Sequence, residues 1–217
     1  MKKKRKTNVS IIGGADGPTS IFIADRTEKR SVNMRIRNGI FKLRRKMIAR
    51  RVRANAHTLR AVVAFMRREF GAVEISRTSQ SYRDQKNCLK ESLIIKNRPE
   101  LLGSLSVIEK PVEYNEESLR EMFEQIQRRS ELAAQVPDEL LPMDFHIYKI
   151  VRNDKEMEIG IDFKWDIFGV SYSGNKKTMR EFRRISRRLY SYYGVTEEDI
   201  KNNTERYSSL LTVLASE

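Results

Sequence analysis

A strict alternation of apolar and polar residues in the last third of the chain is the strongest constraint on its fold. Apolar side chains occupy every second position from Met157 to Ile167, and a period of two residues predicts a strand with one buried face. The apolar run 145–151 precedes this strand across a short polar turn, so an antiparallel hairpin is predicted. Asp162 and Asp166 alternate with the apolar residues, which places them on a solvated outer face.

Helical periodicity accounts for most of the remaining chain. An amphipathic helix is predicted over residues 32–53 from an apolar stripe that consists of Ile36, Ile40, Leu43 and Met47. Further helices are predicted over residues 57–70, 79–95, 115–135, 178–193 and 197–214. Asn115 and Thr196 are the expected N-caps of two of them. The fold class expected is α+β, mostly helical with one antiparallel β-hairpin or small sheet packed against helices.

The first 30 residues are expected to differ in organisation from the rest of the chain. Residues 1–30 form an N-terminal motif segment, irregular or folded as a short hairpin, because two short apolar runs flank a cluster of turn residues. Residues 31–217 form a single α+β domain with a basic helical part (31–70) and a remainder (71–217). The composition, 39% hydrophobic and 33% charged, is globular and excludes a collagen, a disulfide-rich scaffold and a multi-span membrane protein.

The net charge of +14 is concentrated near the N-terminus. Residues 1–70 contain 20 Lys/Arg and 4 Asp/Glu, whereas residues 71–217 contain 23 and 25. This asymmetry indicates either a polyanionic partner (nucleic acid, an anionic membrane surface or an acidic protein) or a solvated basic face, and we favour nucleic acid. The expected mechanism is phosphate neutralisation with little base readout. The arginines expected to carry it are Arg37, Arg44, Arg45, Arg50, Arg51 and Arg53.

A second arginine-rich face lies on the helix predicted over residues 178–193. Its cations run from Arg180 to Arg188, and three tyrosines follow between positions 190 and 193. Aromatic side chains beside arginines can stack on unpaired bases. Acidic residues are close in sequence, so the favoured interpretation is that Glu181, Glu197 or Glu198 pair with these arginines and that the tyrosines pack in the core.

One N-terminal peptide, Asn8 to Ala24, is unusually specific. Its centre reads Gly13, Gly14, Ala15, Asp16, Gly17, Pro18 and Thr19, a set of residues that allows a tight turn. A single carboxylate does not supply the roughly six oxygen ligands that a hard cation prefers. From its residues alone the peptide is a turn packed on the core or a short segment docked on a partner.

This peptide resembles the GGADGPT signature of the beta subunits of sodium-translocating decarboxylases of the oxaloacetate and glutaconyl-CoA types. In that family the motif lies at membrane depth and its Asp is implicated in binding the coupling sodium ion, which by residue match corresponds to Asp16. The resemblance covers 17 of 217 residues, and the rest of the chain does not resemble a decarboxylase subunit. It implies a bacterial protein and an alternative function, an accessory or mimic protein of such a complex with a protein partner bound through residues 8–24.

A metal-dependent hydrolase is the third hypothesis, since carboxylates on paired strands can assemble a metal site. Its ligands would be Asp144, Asp162 and Asp166, but no recognised ligand spacing supports it. No catalytic residue and no cofactor are predicted, and an enzyme is the less favoured class. No membrane span and no secretory signal are predicted, so the expected localisation is cytoplasmic. The oligomeric state does not follow from the sequence.

Overall fold

The protein is described by a computed structural model, which gives the backbone of residues 7–14, 17–25, 32–35 and 37 and the complete residues 36, 38–109, 111 and 115–216. Its contacts divide the chain into two compact units, each built from two stretches of sequence. The first unit comprises Met1–Glu28 and Ser76–Phe145, and the second comprises Lys29–Ile75 and His146–Glu217. The domain boundaries expected from the sequence stay a prediction.

Strands and helices follow one another in short runs along the chain. In order, the elements are β1 (Thr7–Gly14), β2 (Gly17–Asp25), α1 (Val32–Ala49), α2 (Leu59–Phe70), β3 (Val73–Glu74), α3 (Gln80–Asn97), a 3₁₀ segment (Pro99–Ser106), α4 (Glu116–Gln135), β4 (Phe145–Arg152), β5 (Lys155–Asp162), β6 (Ile167–Tyr172), α5 (Lys176–Tyr193), α6 (Glu197–Asn202) and α7 (Glu205–Ala215).

In the first unit, α3 and α4 pack together with the 3₁₀ segment. Asn115 is the N-cap of α4, as predicted: its side chain accepts from the Ser118 backbone N–H, and the Ser118 hydroxyl completes a capping box. Lys90 is buried, and its ammonium donates to the Val136 carbonyl and to Asp138 Oδ1 at 3.2 Å. Strands β1 and β2 form a separate antiparallel two-stranded sheet.

The second unit contains a four-stranded antiparallel sheet of order β3-β4-β5-β6. Helices α2 and α5 pack against the buried residues of β4 and β5 to form the main core. The predicted α+β class, mostly helical with a small antiparallel sheet packed against helices, is confirmed. The largest side chains of this core that are almost fully buried are Met66, Ile150, Met157, Ile159, Ile161, Phe182 and Leu189.

The strand predicted to run from Met157 to Ile167 is broken in the middle. β5 ends at Asp162, the chain turns, and β6 pairs back so that Asp162 faces Ile167 across the ladder. Asp162 is fully buried, and its Oδ1 accepts from the backbone N–H groups of Lys164 at 2.9 Å and Trp165 at 3.0 Å. The expectation that Asp162 lies on a solvated face is therefore wrong, because this carboxylate holds the β5–β6 turn.

The last predicted helix is also divided in two. Asn203 adopts a left-handed conformation with φ 50°, which ends α6, and Thr204 then caps α7 by accepting from the Tyr207 backbone N–H. The predicted cap at Thr196 is confirmed, since its side chain and that of Asp199 form a capping box. Burial raises the pKa of Asp199, but hydrogen bonds from Thr196 and Thr204 outweigh it and the net pKa is lowered.

A second cluster of the same unit joins α1 to α7. Tyr207 and Leu211 are among its buried residues, and Ile48 and Ala49 at the end of α1 pack against it. The helix ends at Ala49 and not at residue 53 as expected. The apolar stripe of α1, which consists of Ile36, Ile40, Leu43 and Met47, takes no part in this cluster and is exposed.

Candidate nucleic-acid interface

Helix α5 exposes a row of cations. Its first turn is fixed by Asn175, whose Oδ1 accepts from the backbone N–H groups of Lys177 and Thr178. Phe182, Ile185 and Leu189 lie on the buried face at helical spacing, so the charged residues between them point outward. We call the outward set the α5 cationic face. It consists of Lys176, Lys177, Arg180, Arg183 and Arg184, of which Arg183 is half-buried and the others are exposed.

Within the described part of the chain, none of these five side chains forms an ion pair or a hydrogen bond. Glu181, the acid nearest in sequence, is occupied elsewhere: it pairs with Arg152 Nε at 3.4 Å and accepts from Asn153 at 3.2 Å. The favoured expectation that Glu181, Glu197 or Glu198 neutralise this face is therefore wrong. The positive charge of the face is available to an external anion.

The same residues shape the surface. Lys176, Lys177, Arg180 and Arg184 line an open cavity of about 550 Å³ together with Glu181. The cavity lies at the N-terminal half of α5, and the helix dipole adds partial positive charge at its first turn, where Lys176 and Lys177 lie. Ammonium and guanidinium groups gathered there suit oxyanions, and phosphates most of all.

Two arginines of the predicted second face have structural roles. Arg187 Nη2 donates to the carbonyls of Leu214 at 3.1 Å and Ser216 at 2.7 Å, which ties α5 to the end of α7. Arg188 pairs with Glu69 at 3.0 Å. Hydrogen bonds from Arg68 and then Arg188 lower the pKa of Glu69. These two arginines therefore do not belong to the free row.

The tyrosines that follow are occupied by the protein itself. The Tyr192 ring stacks on His57 and on Phe65, each at 4.2 Å between ring centroids. Tyr193 is buried, as expected, and its hydroxyl donates to the Asp166 carbonyl at 3.2 Å. Burial raises the pKa of Tyr190 to about 12. None of these three rings is arranged as an open stacking platform.

Of the six arginines predicted to bind a polyanion, the five whose side chains are described do not share one face. The side chain of Arg37 lies outside the described residues. Arg44 and Arg45 are half-buried, and Arg45 Nη2 donates to Ser208 Oγ on α7 at 2.8 Å. The remaining three are exposed at and beyond the end of α1, and we call them the Arg50 cluster: Arg50, Arg51 and Arg53. Among the residues that the structure describes, Arg53 donates only to the carbonyls of Arg50 and Val52.

The carboxylates of the hydrolase hypothesis have other partners or positions. The Asp162 carboxylate accepts hydrogen bonds from backbone N–H groups of the β5–β6 turn. Asp166 pairs with Arg206 at 3.2 Å. Asp144 is exposed just before β4. Among the residues with described side chains, no group of three His, Cys, Asp or Glu is placed to hold a metal ion.

The glycine-rich motif forms the end of the N-terminal hairpin. Gly13 and Gly14 end β1, and Gly17, Pro18 and Thr19 begin β2, with Gly13 opposite Pro18 in the ladder. The ladder has an irregularity between Ile12 and Gly13. Asp16 lies outside the described residues.

Sequence reasoning found the arginines of α5 but missed Lys176 and Lys177. The available signal was Asn175, a strong N-cap residue, because a cap there places both lysines in the first turn of the helix.

Comparison of the chain with protein-family models, curated proteins and solved structures found no match. In the described ranges, every helix is too short or too polar to cross a membrane.

Proposed function

We propose that the protein binds the phosphate backbone of nucleic acid through the α5 cationic face. The supporting observation is that Lys176, Lys177, Arg180 and Arg184 are exposed together and engage no carboxylate in the described ranges. Lys176, Arg180 and Arg184 follow one another at i, i+4 and i+8, about 6 Å apart along the helix axis, which suits contact with several phosphates of one strand. Contacts of this kind provide affinity and orientation without reading base sequence.

The Arg50 cluster is the part of the predicted N-terminal site that we retain in this proposal. Its three guanidinium groups are exposed, and no carboxylate in the described ranges pairs with them. We propose that it adds a second set of phosphate contacts in the same unit.

The test is a salt series of nucleic-acid binding by the full chain, with duplex and single-stranded DNA and RNA as probes. Neutralisation of the α5 cationic face in the variant K176Q/K177Q/R180Q/R184Q removes four phosphate contacts. For duplex DNA this should lower the slope of log K against log salt by about 3.6. The triple variant R50Q/R51Q/R53Q measures the share of the Arg50 cluster.

A matched control removes the same number of charges elsewhere. Lys155, Lys164, Lys201 and Arg128 are exposed and lie outside both clusters, so K155Q/K164Q/K201Q/R128Q should keep most of the affinity and of the slope. Urea unfolding of each variant checks that the fold is intact. The proposal fails if the wild-type chain binds no probe at about 50 mM salt, or if the control and the α5 variant lose affinity equally.

We also propose a second function, which concerns the N-terminal hairpin formed by β1 and β2. Through this hairpin the protein would act as an accessory protein of a sodium-translocating decarboxylase complex. The observation that supports it is that, among the described strands, β1 and β2 pair only with each other and form a sheet separate from the four-stranded one. The test adds the full chain to a purified decarboxylase and measures sodium-dependent decarboxylation. An effect of the wild-type chain that Asp16→Ala abolishes supports this proposal, and an unchanged rate rejects it.

A further inference from the structure

Helix α1 exposes four large apolar side chains in a line. Ile36 is 54% exposed, Ile40 47%, Leu43 60% and Met47 45%. We call these four residues the α1 seam. Single exposed apolar residues are ordinary, but a contiguous line of them on one helix marks an interaction surface.

The seam is exposed because α1 uses a different face to join the rest of its unit. Ile48 and Ala49 pack against the cluster around Tyr207, and the Arg45 guanidinium bonds to Ser208. At about 100° per residue, Arg45 lies on the side of the helix opposite the seam. Contact with α7 therefore leaves the seam uncovered.

The spacing of the seam indicates what it fits. Its residues follow at intervals of four, three and four, which is the a/d repeat of a coiled coil over about 16 Å of helix. A helix that lies in a membrane interface presents a wide apolar face instead, and nucleic acid offers nothing apolar of matching shape. The surface complementary to such a narrow seam is a second helix with its own a/d residues.

The charges beside the seam limit the choice of that helix. In this repeat Arg44 and Lys46 occupy flanking e and g positions, and Lys42 and Arg50 are cations nearby; α1 contains no acidic residue between Val32 and Ala49. A second copy of α1 would place like charges opposite each other, which disfavours self-pairing. A helix with glutamates at e and g would complement them.

We propose that the α1 seam is the docking site for an acidic amphipathic helix of a partner protein. Such a helix would insert apolar a and d residues between Ile40, Leu43 and Met47 and place carboxylates opposite Arg44 and Lys46. This is helix-to-helix recognition of the coiled-coil type, and it is independent of the α5 cationic face.

The probe is a synthetic three-heptad peptide with Leu at a and d and Glu at e and g, labelled with fluorescein and titrated with the full chain. Its control carries Lys at e and g. The acidic peptide should bind at least tenfold more tightly than the basic one. The variant I40S/L43S should lose at least tenfold in affinity, and because both side chains are exposed it should keep the wild-type unfolding midpoint.

A charge reversal separates specific docking from general attraction. Lys46→Glu should weaken the acidic peptide and strengthen the basic one, whereas Lys201→Glu, an exposed lysine of α6, should alter both peptides little. The α5 variant K176Q/K177Q/R180Q/R184Q should bind the acidic peptide like wild type, so a failure of the nucleic-acid proposal does not decide this one.

Several results would overturn the proposal. One is equal binding of both peptides, or binding of neither. Another is a wild-type dimer in sedimentation that I40S/L43S converts to a monomer, because the seam would then be covered by a second copy. A third is tight binding of vesicles with about 30% phosphatidylserine that I40S/L43S abolishes, which would assign the seam to a membrane surface.

Discussion

Arg206 on α7 joins four parts of the second unit, and its removal is the most informative test of the fold. Its guanidinium donates to the carbonyls of Tyr193 at 2.7 Å, Gly194 at 2.9 Å and His57 at 3.1 Å, and pairs with Asp166 at 3.2 Å. It also lies over the Tyr193 ring, 3.6 Å from the centroid. The Arg206 side chain is only 16% exposed. We predict that Arg206→Met is strongly destabilising.

The magnitude follows from the contacts. Three hydrogen bonds from a charged group to carbonyls contribute roughly 4.5–9 kcal/mol in total at about 1.5–3 kcal/mol each. The ordering of the arginine side chain costs about 2 kcal/mol. The ion pair to Asp166, whose side chain is 59% exposed, adds less than about 1 kcal/mol. The methionine regains part of the packing of the stem, so we expect Arg206→Met to lower the free energy of unfolding by about 3–5 kcal/mol.

The assay is urea unfolding followed by far-UV circular dichroism, with the midpoint and slope compared between variants. Arg206→Lys keeps the charge but not the planar donor geometry, so it should recover only part of the loss. Arg184→Met is the matched control, because Arg184 is exposed and forms no hydrogen bond or ion pair in the described ranges. It should change the free energy of unfolding by less than about 0.5 kcal/mol. A loss below about 1 kcal/mol for Arg206→Met would refute the argument.

Two further predictions concern the close approach of Gly194 to Asn55 and the pH dependence of the Asp199 carboxylate in the α6 capping box. Gly194 has φ +60°, and a Cβ there would lie 2.6 Å from the Asn55 carbonyl oxygen. Gly194→Ala should therefore lower the free energy of unfolding by more than about 2 kcal/mol. Gly71 has φ +68° but open space around it, so Gly71→Ala should lower it by only about 1–2 kcal/mol. Equal losses in thermal unfolding would contradict this. The lowered pKa of Asp199 means that its carboxylate stabilises the fold above the unfolded pKa of about 3.9, and that this stabilisation is lost as pH falls through the folded pKa. Asp199→Asn should cost about 1 kcal/mol at pH 7, and a difference from wild type that persists unchanged at about pH 3 would count against this role.

The helices and the sheet could be predicted from the sequence where a single local signal, a cap residue or a hydrophobic period, determines the structure. Asn115 and Thr196 are caps whose side chains bond to a backbone N–H three residues later, a local interaction that the sequence encodes directly. The buried faces of β4, β5 and α5 follow their hydrophobic periods for the same reason. Fold class is therefore accessible from pattern alone.

The β5–β6 turn escaped prediction because the alternation continues through it. Phe163 and Trp165 keep the period of two, yet they lie in the turn that the Asp162 carboxylate stabilises. Asp166 has φ 49° in that turn. Two Asp residues that bracket three others are a turn signal, but the apolar alternation across the same residues predicts a continuous strand, so the two signals conflict there.

The α5 cationic face and the α1 seam could be identified only from the tertiary structure. The α1 stripe has the spacing of a buried face, and a hydrophobic period cannot say whether the residues that cover it belong to the same chain. Charge pairing depends on tertiary structure for a related reason: Glu181 is adjacent to Arg180 in sequence, but its carboxylate pairs with Arg152 of β4. Sequence proximity sets which pairs are available within a helix, and tertiary contacts decide which of them form.

The α5 cationic face and the α1 seam differ in chemistry, and salt should separate them. Four phosphate contacts give a slope of about −3.6 for duplex DNA, so an increase from about 50 to 200 mM salt should weaken that binding by roughly 150-fold. Docking on the seam buries the apolar side chains of Ile40, Leu43 and Met47, which salt does not screen, and only its flanking charges respond. The acidic peptide should therefore lose less than about tenfold over the same range. A parallel loss of both ligands would mean that one diffuse positive field binds them, and that neither surface is specific.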